Sequence, residues 1–189
     1  PRRGKRIYGK NVEDFGGRRP GWGYSESPLI VGKNVIVTPG GAGGCVIALD
    51  RETGEVRWKS NEVTEAAHYS TAVVAEVAGK PTIVQFAREN VFGLDQETGE
   101  FLWKYSGANN GTANCSSPIV SGNHVLVSSA YGTGTGMVEV SAHPETGFKT
   151  EEVYFQKELQ SHHGGMVKVG DHVYGFSSGS LVLSLIHIS

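Results

Sequence analysis

The chain has 189 residues, with 17 lysines and arginines against 19 aspartates and glutamates, and a formal net charge of −2. Such a length supports a sizeable core, and the near-neutral balance gives no global basic field to attract nucleic acid or an anionic membrane surface. No apolar run is long enough to cross a bilayer as a helix, the tail from Leu181 to Ser189 included.

Residues 1–22 read as a lead-in segment. Its basic residues Arg2, Arg3, Lys5 and Arg6 are expected to be a solvated chain end rather than a binding patch. Gly16-Gly17-Arg18-Arg19-Pro20-Gly21 reads as an exposed linker. Its arginine forks suit carboxylates, however, and Trp22 beside them offers a flat stacking face, so this stretch is also a candidate cap over a site formed further along the chain.

The next feature is repetition. Val46-Ile47-Ala48-Leu49-Asp50-Arg51-Glu52-Thr53-Gly54-Glu55-Val56-Arg57-Trp58-Lys59 returns as Val91-Phe92-Gly93-Leu94-Asp95-Gln96-Glu97-Thr98-Gly99-Glu100-Phe101-Leu102-Trp103-Lys104, displaced by 45 residues. A period of about 20 to 50 residues marks a solenoid, a propeller or an array. Between the copies the chain predicts short strands over 71–77, 82–86, 91–94 and 100–105, separated by turn residues. Four strands in about 40 residues is the spacing of a propeller blade. No segment shows the three-and-four apolar spacing of a helical repeat.

Opening strands recur from Ser27-Pro28-Leu29-Ile30, Thr71-Ala72-Val73-Val74, Ser117-Pro118-Ile119-Val120 and Gly164-Gly165-Met166-Val167, at steps of 44, 46 and 47. They predict blades near 23–66, 67–112 and 113–160, with an incomplete one over 161–189. Pro28 and Pro118 suit a strand start, where no ladder bond is needed from the nitrogen. The third copy keeps Glu145-Thr146-Gly147 but has His143 in place of the aspartate, and Thr150-Glu151 in place of the Arg-Trp pair.

Each turn has a mechanism. An aspartate accepts hydrogen bonds from the amides just after it, and a glycine supplies positive φ. Asp50, Gly54, Asp95 and Gly99 are therefore read as turn-makers, with Trp58 and Trp103 filling the gap between neighbouring blades. The glycine runs 40–44 and 132–136 are read as hairpin loops, because a phosphate-binding loop would lead into a helix.

The spacing Ala48-x-Asp50-x-x-x-Gly54-x-x-x-Trp58 resembles the tryptophan-docking motif of the pyrroloquinoline-quinone (PQQ) type β-propeller repeat. Gly21 to Pro28 and His162 to Val167 also resemble bacterial PQQ-binding-like propeller proteins, and the likeness covers roughly residues 20 to 178. The resemblance implies an all-β, quinoprotein dehydrogenase-like propeller of four-stranded antiparallel blades. It also implies that about three and a half blades of seven or eight are present, so that the chain is a fragment whose tail need not be native sequence. A periplasmic or cell-surface location is implied as well.

Two functions follow from the resemblance. The first is an exported scaffold, related to the BamB-type barrel-assembly lipoproteins, that binds a protein partner or small ligand at the propeller face. The alternative is a PQQ- and calcium-dependent alcohol or sugar dehydrogenase. Alcohol dehydrogenases of that kind carry an adjacent cysteine pair, whereas Cys45 and Cys115 stand 70 positions apart. Their spacing predicts neither a zinc site nor a disulfide.

Repeat phase supplies the candidate site. Superposed blades bring Tyr24, His68, Asn114 and Ser161 into one register, Ser25, Tyr69, Cys115 and His162 into the next, and Glu26, Ser70, Ser116 and His163 into a third. These residues precede the first strand of each blade, which lines the central channel, and so they are expected as polar layers around its mouth. Glu26, His68, Tyr69, Asn114, His162 and His163 are the candidate ligand-binding residues. Imidazole, carboxylate, amide and phenol groups can hydrogen-bond a sugar or a quinone, or hold water. No metal site is assigned, although Glu26, His68, His162 and His163 offer nitrogen and oxygen donors. Asn110-Gly111-Thr112 and Asn114-Cys115-Ser116 match a glycosylation sequon, but Asn109-Asn110-Gly111 is better read as a tight turn.

Overall fold

The computed structural model describes Gly4 and residues 6–185. Arg2, Arg3 and Lys5 of the basic run, and residues 186–189 of the tail, lie outside the described residues. Among the described residues a 3-10 turn, Val12–Phe15, precedes fifteen strands arranged in four antiparallel sheets.

Each sheet is a meander in chain order. The first holds β1 (Leu29–Val31), β2 (Asn34–Val37), β3 (Ile47–Asp50) and β4 (Val56–Lys59). The second holds β5 (Val73–Val77), β6 (Lys80–Phe86), β7 (Val91–Asp95) and β8 (Phe101–Tyr105). In the third are β9 (Ile119–Ser121), β10 (His124–Ser129), β11 (Gly134–His143) and β12 (Gly147–Gln156). The last, three-stranded among the described residues, has β13 (Met166–Val169), β14 (His172–Ser177) and β15 (Ser180–Leu185). Successive antiparallel meanders of this kind are the blades of a partial β-propeller.

The turn chemistry is local. Asp50 Oδ1 accepts from the amides of Glu52 at 2.9 Å and Thr53 at 3.0 Å, and Asp95 Oδ1 from those of Glu97 at 2.8 Å and Thr98 at 2.9 Å. Gly54 and Gly99 take φ of 71° and 74°, which a Cβ would disfavour. In the third sheet His143 Nδ1 accepts from Glu145 and Thr146, both at 3.3 Å. Burial works against the Asp95 carboxylate, but the Lys80 ammonium at 2.7 Å and the amides of Thr98 and Glu97 outweigh it and hold its pKa at about 2.

A register shift falls at the same place in the first two sheets, between Ala48 and Leu49 and between Gly93 and Leu94. The shift sets Trp58 opposite Ala48 and Trp103 opposite Gly93. Trp58 then reaches the next sheet, where a Cβ on Gly99 would collide with its ring. Gly93 is bare for the same reason, since the Trp103 ring lies against it.

The core is a series of seams between sheets. Ile36, Ala48 and Trp58 pack with Ile83, Phe92 and Leu94 between the first and second. Phe86, Val91 and Trp103 pack with Val125, Val138 and Val140 between the second and third. Leu126 and Met137 meet Leu159, Val173 and Met166 between the third and fourth. Burial of each large side chain contributes roughly 1.5 to 3 kcal/mol. The outer face of the first sheet is covered by Val12 and Phe15 of the lead-in, whereas the fourth sheet exposes Val167, Val169, Phe176, Leu181 and Leu183.

One loop expectation needs correction. Residues 134–136 do not sit in a hairpin loop; they begin β11 and pair with Ser129, Ser128 and Val127. Gly136 is there because the Tyr105 hydroxyl occupies the space a Cβ would fill. The turn proper is Ala130 to Thr133, with Tyr131 at a φ of 58°.

Candidate functional site

The segments entering β1, β5, β9 and β13 come together on one surface, because the first strands of neighbouring sheets lie side by side. Tyr69 N donates to Asn114 O at 3.1 Å, and Ser27 N to Thr71 Oγ1 at 3.0 Å, so adjacent entries are tied across the gap between sheets. An extended segment sends successive side chains to opposite sides. That alternation separates the registers read from the sequence.

The flanking registers, His163 apart, are held by hydrogen bonds to backbone or to one another. His68 Nδ1 accepts from Asn114 N at 3.1 Å. Asn114 Nδ2 donates to Ala87 O at 2.7 Å and to Arg88 O at 3.1 Å, and its Oδ1 accepts from Asn110 N. Glu26 Oε1 accepts the amide of Thr38, while Ser70 Oγ donates to Phe86 O. Ser116 and Ser161 join through their hydroxyls at 2.7 Å. Burial, with the Arg88 charge, lowers the His68 pKa to about 4, so its ring is neutral at pH 7. Burial raises the Glu26 carboxyl against the pull of the Thr38 amide.

The middle register points the other way. Ser25, Tyr69, Cys115 and His162 line a cleft of about 600 Å³, completed by Trp22, Thr71, Tyr131 and His163 among others. Trp22 and Tyr69 meet at 5.6 Å between ring centroids and 57° between planes, and the Trp22 amide donates to Tyr69 Oη at 3.4 Å. Tyr131 sits edge-on to His162 at 4.9 Å. Burial and then the charge of His163 lower the His162 pKa, and burial pushes the Cys115 thiol up.

Of the six sequence candidates, Tyr69, His162 and His163 therefore face the cleft, Glu26 and Asn114 stand behind it, and His68 lines the adjoining cavity beside Tyr69 and Arg88. His163 leaves the register of Ser70 and Ser116, because Gly164-Gly165 breaks the alternation, with Gly165 at a φ of 67°. Tyr131 and Arg88 were not foreseen: each comes from a loop after a second strand, whose phase does not recur between repeats. The left-handed Tyr131 beside Gly132 leaves no mark in sequence beyond the glycines around it. Asn110 Oδ1 accepts from Thr112 and Ala113, making the turn that delivers Asn114.

The family model described as outer membrane protein assembly factor BamB, of the PQQ repeat type, matches residues 11–186. The chain belongs to this family. Comparison with individually curated proteins gives no match. No described helix is long and apolar enough to cross a membrane.

The family resemblance raises PQQ and calcium, and the donors here can be tested against them. Calcium takes six to eight oxygens, mostly carboxylate and carbonyl, at roughly 2.3 to 2.6 Å. Within the described residues no carboxylate lines the cleft. Glu26 and Asn114, the carboxylate and amide donors read from sequence, do not line it and accept from Thr38 and Asn110. Among the described residues no three His, Cys, Asp or Glu side chains gather to hold a metal ion. The donor set here does not fit a calcium-bound quinone.

Proposed function

We propose that the chain is part of an exported propeller scaffold that holds a small ligand or a protein partner at the mouth formed by its strand entries. One observation carries this reading: the middle side chain of each of the four entries faces a single cleft, while the flanking side chains, His163 apart, are held behind it by hydrogen bonds to backbone or to one another. A surface so divided is rigid behind and free in front, which lowers the ordering cost of binding. Aromatic rings with a few hydroxyl and imidazole groups make a lining suited to ligands. The family description, with its reference to outer-membrane protein assembly, supports a periplasmic or cell-surface setting and a protein partner as the macromolecular case.

Trp22, 70% exposed at the cleft edge, is a built-in reporter. The test titrates the intact protein with PQQ plus calcium, neutral and acidic saccharides, and short peptides, following tryptophan fluorescence. Saturable quenching that disappears in Tyr69→Ala and His162→Ala, with unchanged circular dichroism, supports the cleft. Binding that survives both substitutions moves the function to the strand edges or turns and overturns the reading.

A further inference from the structure

The cleft is the middle of a longer trough. It shares Trp22 and Tyr69 with a cavity of about 410 Å³ on one side, and Tyr131, His162 and His163 with another of about 540 Å³ on the other. Although the chain has 19 acidic residues, no carboxylate among the described residues lines any of the three. Arg18, Arg19 and Arg88 line the first end, and the histidine pair lies towards the other. By contrast, a separate cavity of about 290 Å³ is lined by Glu62, Glu65 and Glu89 beside Lys104. Acidic side chains are thus kept out of the trough and not out of concave surface in general.

Arg19 is partly engaged, lying 3.7 Å from Glu13 with both side chains largely exposed. Such an exposed pair is worth little and yields readily to a better-placed anion. Arg88 is close enough to His68 for its charge to disfavour the imidazolium.

Ring geometry narrows the ligand further. The Trp22 and Tyr69 planes are 57° apart, and those of Tyr131 and His162 are 77° apart. Each of these pairs is in contact and presents angled rather than coplanar ring faces to the cleft. Angled faces suit a ligand of several puckered rings joined flexibly, whose polarised C–H bonds meet the negative faces of the aromatics. Thr71 Oγ1 accepts the Ser27 amide and keeps its own hydrogen for a ligand oxygen.

We propose that the trough binds an acidic oligosaccharide, a short chain of uronic acid units, with carboxylates at the arginine end and sugar rings across Trp22, Tyr69 and Tyr131. The proposal rests on the cleft reading above and names its ligand class. Guanidinium forks recognise carboxylates through paired charge-assisted hydrogen bonds, and no carboxylate among the described residues lines the trough itself, Glu13 meeting Arg19 from outside it.

Calorimetric titration of the intact protein with tetragalacturonate, galactotetraose and tetraglutamate separates the contributions. Tetragalacturonate is expected to bind at least about tenfold more tightly than its neutral counterpart, as a charge-assisted pair implies, and tetraglutamate to bind more weakly than either sugar. Arg18→Ala and Arg88→Ala should each erode the preference for the acid while sparing galactotetraose, and Trp22→Ala should weaken both sugars. Equal affinity for the neutral sugar overturns the acidic class and leaves the cleft standing. Tryptophan quenching by another ligand class with no response to either sugar does the same. A folded protein in which no ligand responds to cleft substitutions overturns both proposals.

Discussion

The first two repeats and the third make the same turn with different atoms. Asp50 and Asp95 hold it with a carboxylate oxygen, and His143 holds it with a ring nitrogen at slightly longer range. The seams behave otherwise. Trp58 lies on Gly99 so closely that a methyl group is excluded, whereas Gly147, the equivalent glycine of the third repeat, has open space where its Cβ would be. Glu151 stands at the tryptophan's spacing in sequence, but the register shift of the third sheet falls between Met137 and Val138 and sets Tyr154 opposite Met137, so a tyrosine packs into the next seam and the His143 turn stands clear of it. A turn needs only an acceptor, which several side chains supply, but an interface between sheets needs a shape. Drift is tolerated in the first and changes the architecture in the second.

The sharpest way to break this contrast is to remove the ring. Trp58→Ala is expected to cost about 3 to 5 kcal/mol in urea unfolding, because it empties the seam between the first two sheets and uncovers Gly99. Next in size is acid. His68, which ties the second repeat to the third through the Asn114 amide, protonates near 6.5 when unfolded and only near 4 when folded. Between those values the unfolded chain binds more protons, so its contribution is complete above pH 6.5 and declines as the pH falls towards 4. The loss is on the order of 3 kcal/mol, visible as a falling midpoint in urea and flattened in His68→Gln.

Paired glycine substitutions sharpen the comparison. Both Gly99 and Gly147 have positive φ, at 74° and 77°. Gly147→Ala should show only the backbone cost of roughly 1 kcal/mol, and Gly99→Ala roughly 2 to 3 kcal/mol once the displaced Trp58 is included. Equal losses would mean that the ring moves aside freely. The smallest effect belongs to His143→Asp, which restores the carboxylate of the earlier repeats and should stabilise by less than about 1 kcal/mol in the same assay.

Much of this architecture was legible because the repeats carry their own turn chemistry. Asp, Gly and Trp at fixed spacing announce a hairpin and a filled seam, and the 45-residue displacement counts the sheets. The site was legible in phase but not in direction. Tyr69 and His68 are neighbours with equal claims as ligands, and only the alternation of an extended segment, anchored by Asn114, turns Tyr69 into the cleft and leaves His68 at the wall of the adjoining cavity. Tyr131 and Arg88 were invisible because loops vary in length between repeats and lose phase. Residues 134–136 misread as a loop because two glycines there serve a strand crowded by Tyr105 and by the chain at Gln156.

The contact between Trp58 and Gly99 has a direction, with the ring leaving one unit and the bare glycine waiting in the following one. A segment one period long therefore carries both halves of the joint, an outgoing plug and an incoming socket. Duplicating the second unit in frame would set Trp103 before a second copy of Gly99, the pairing that Trp58 already makes, so a gene built this way can lengthen by a whole unit without inventing an interface.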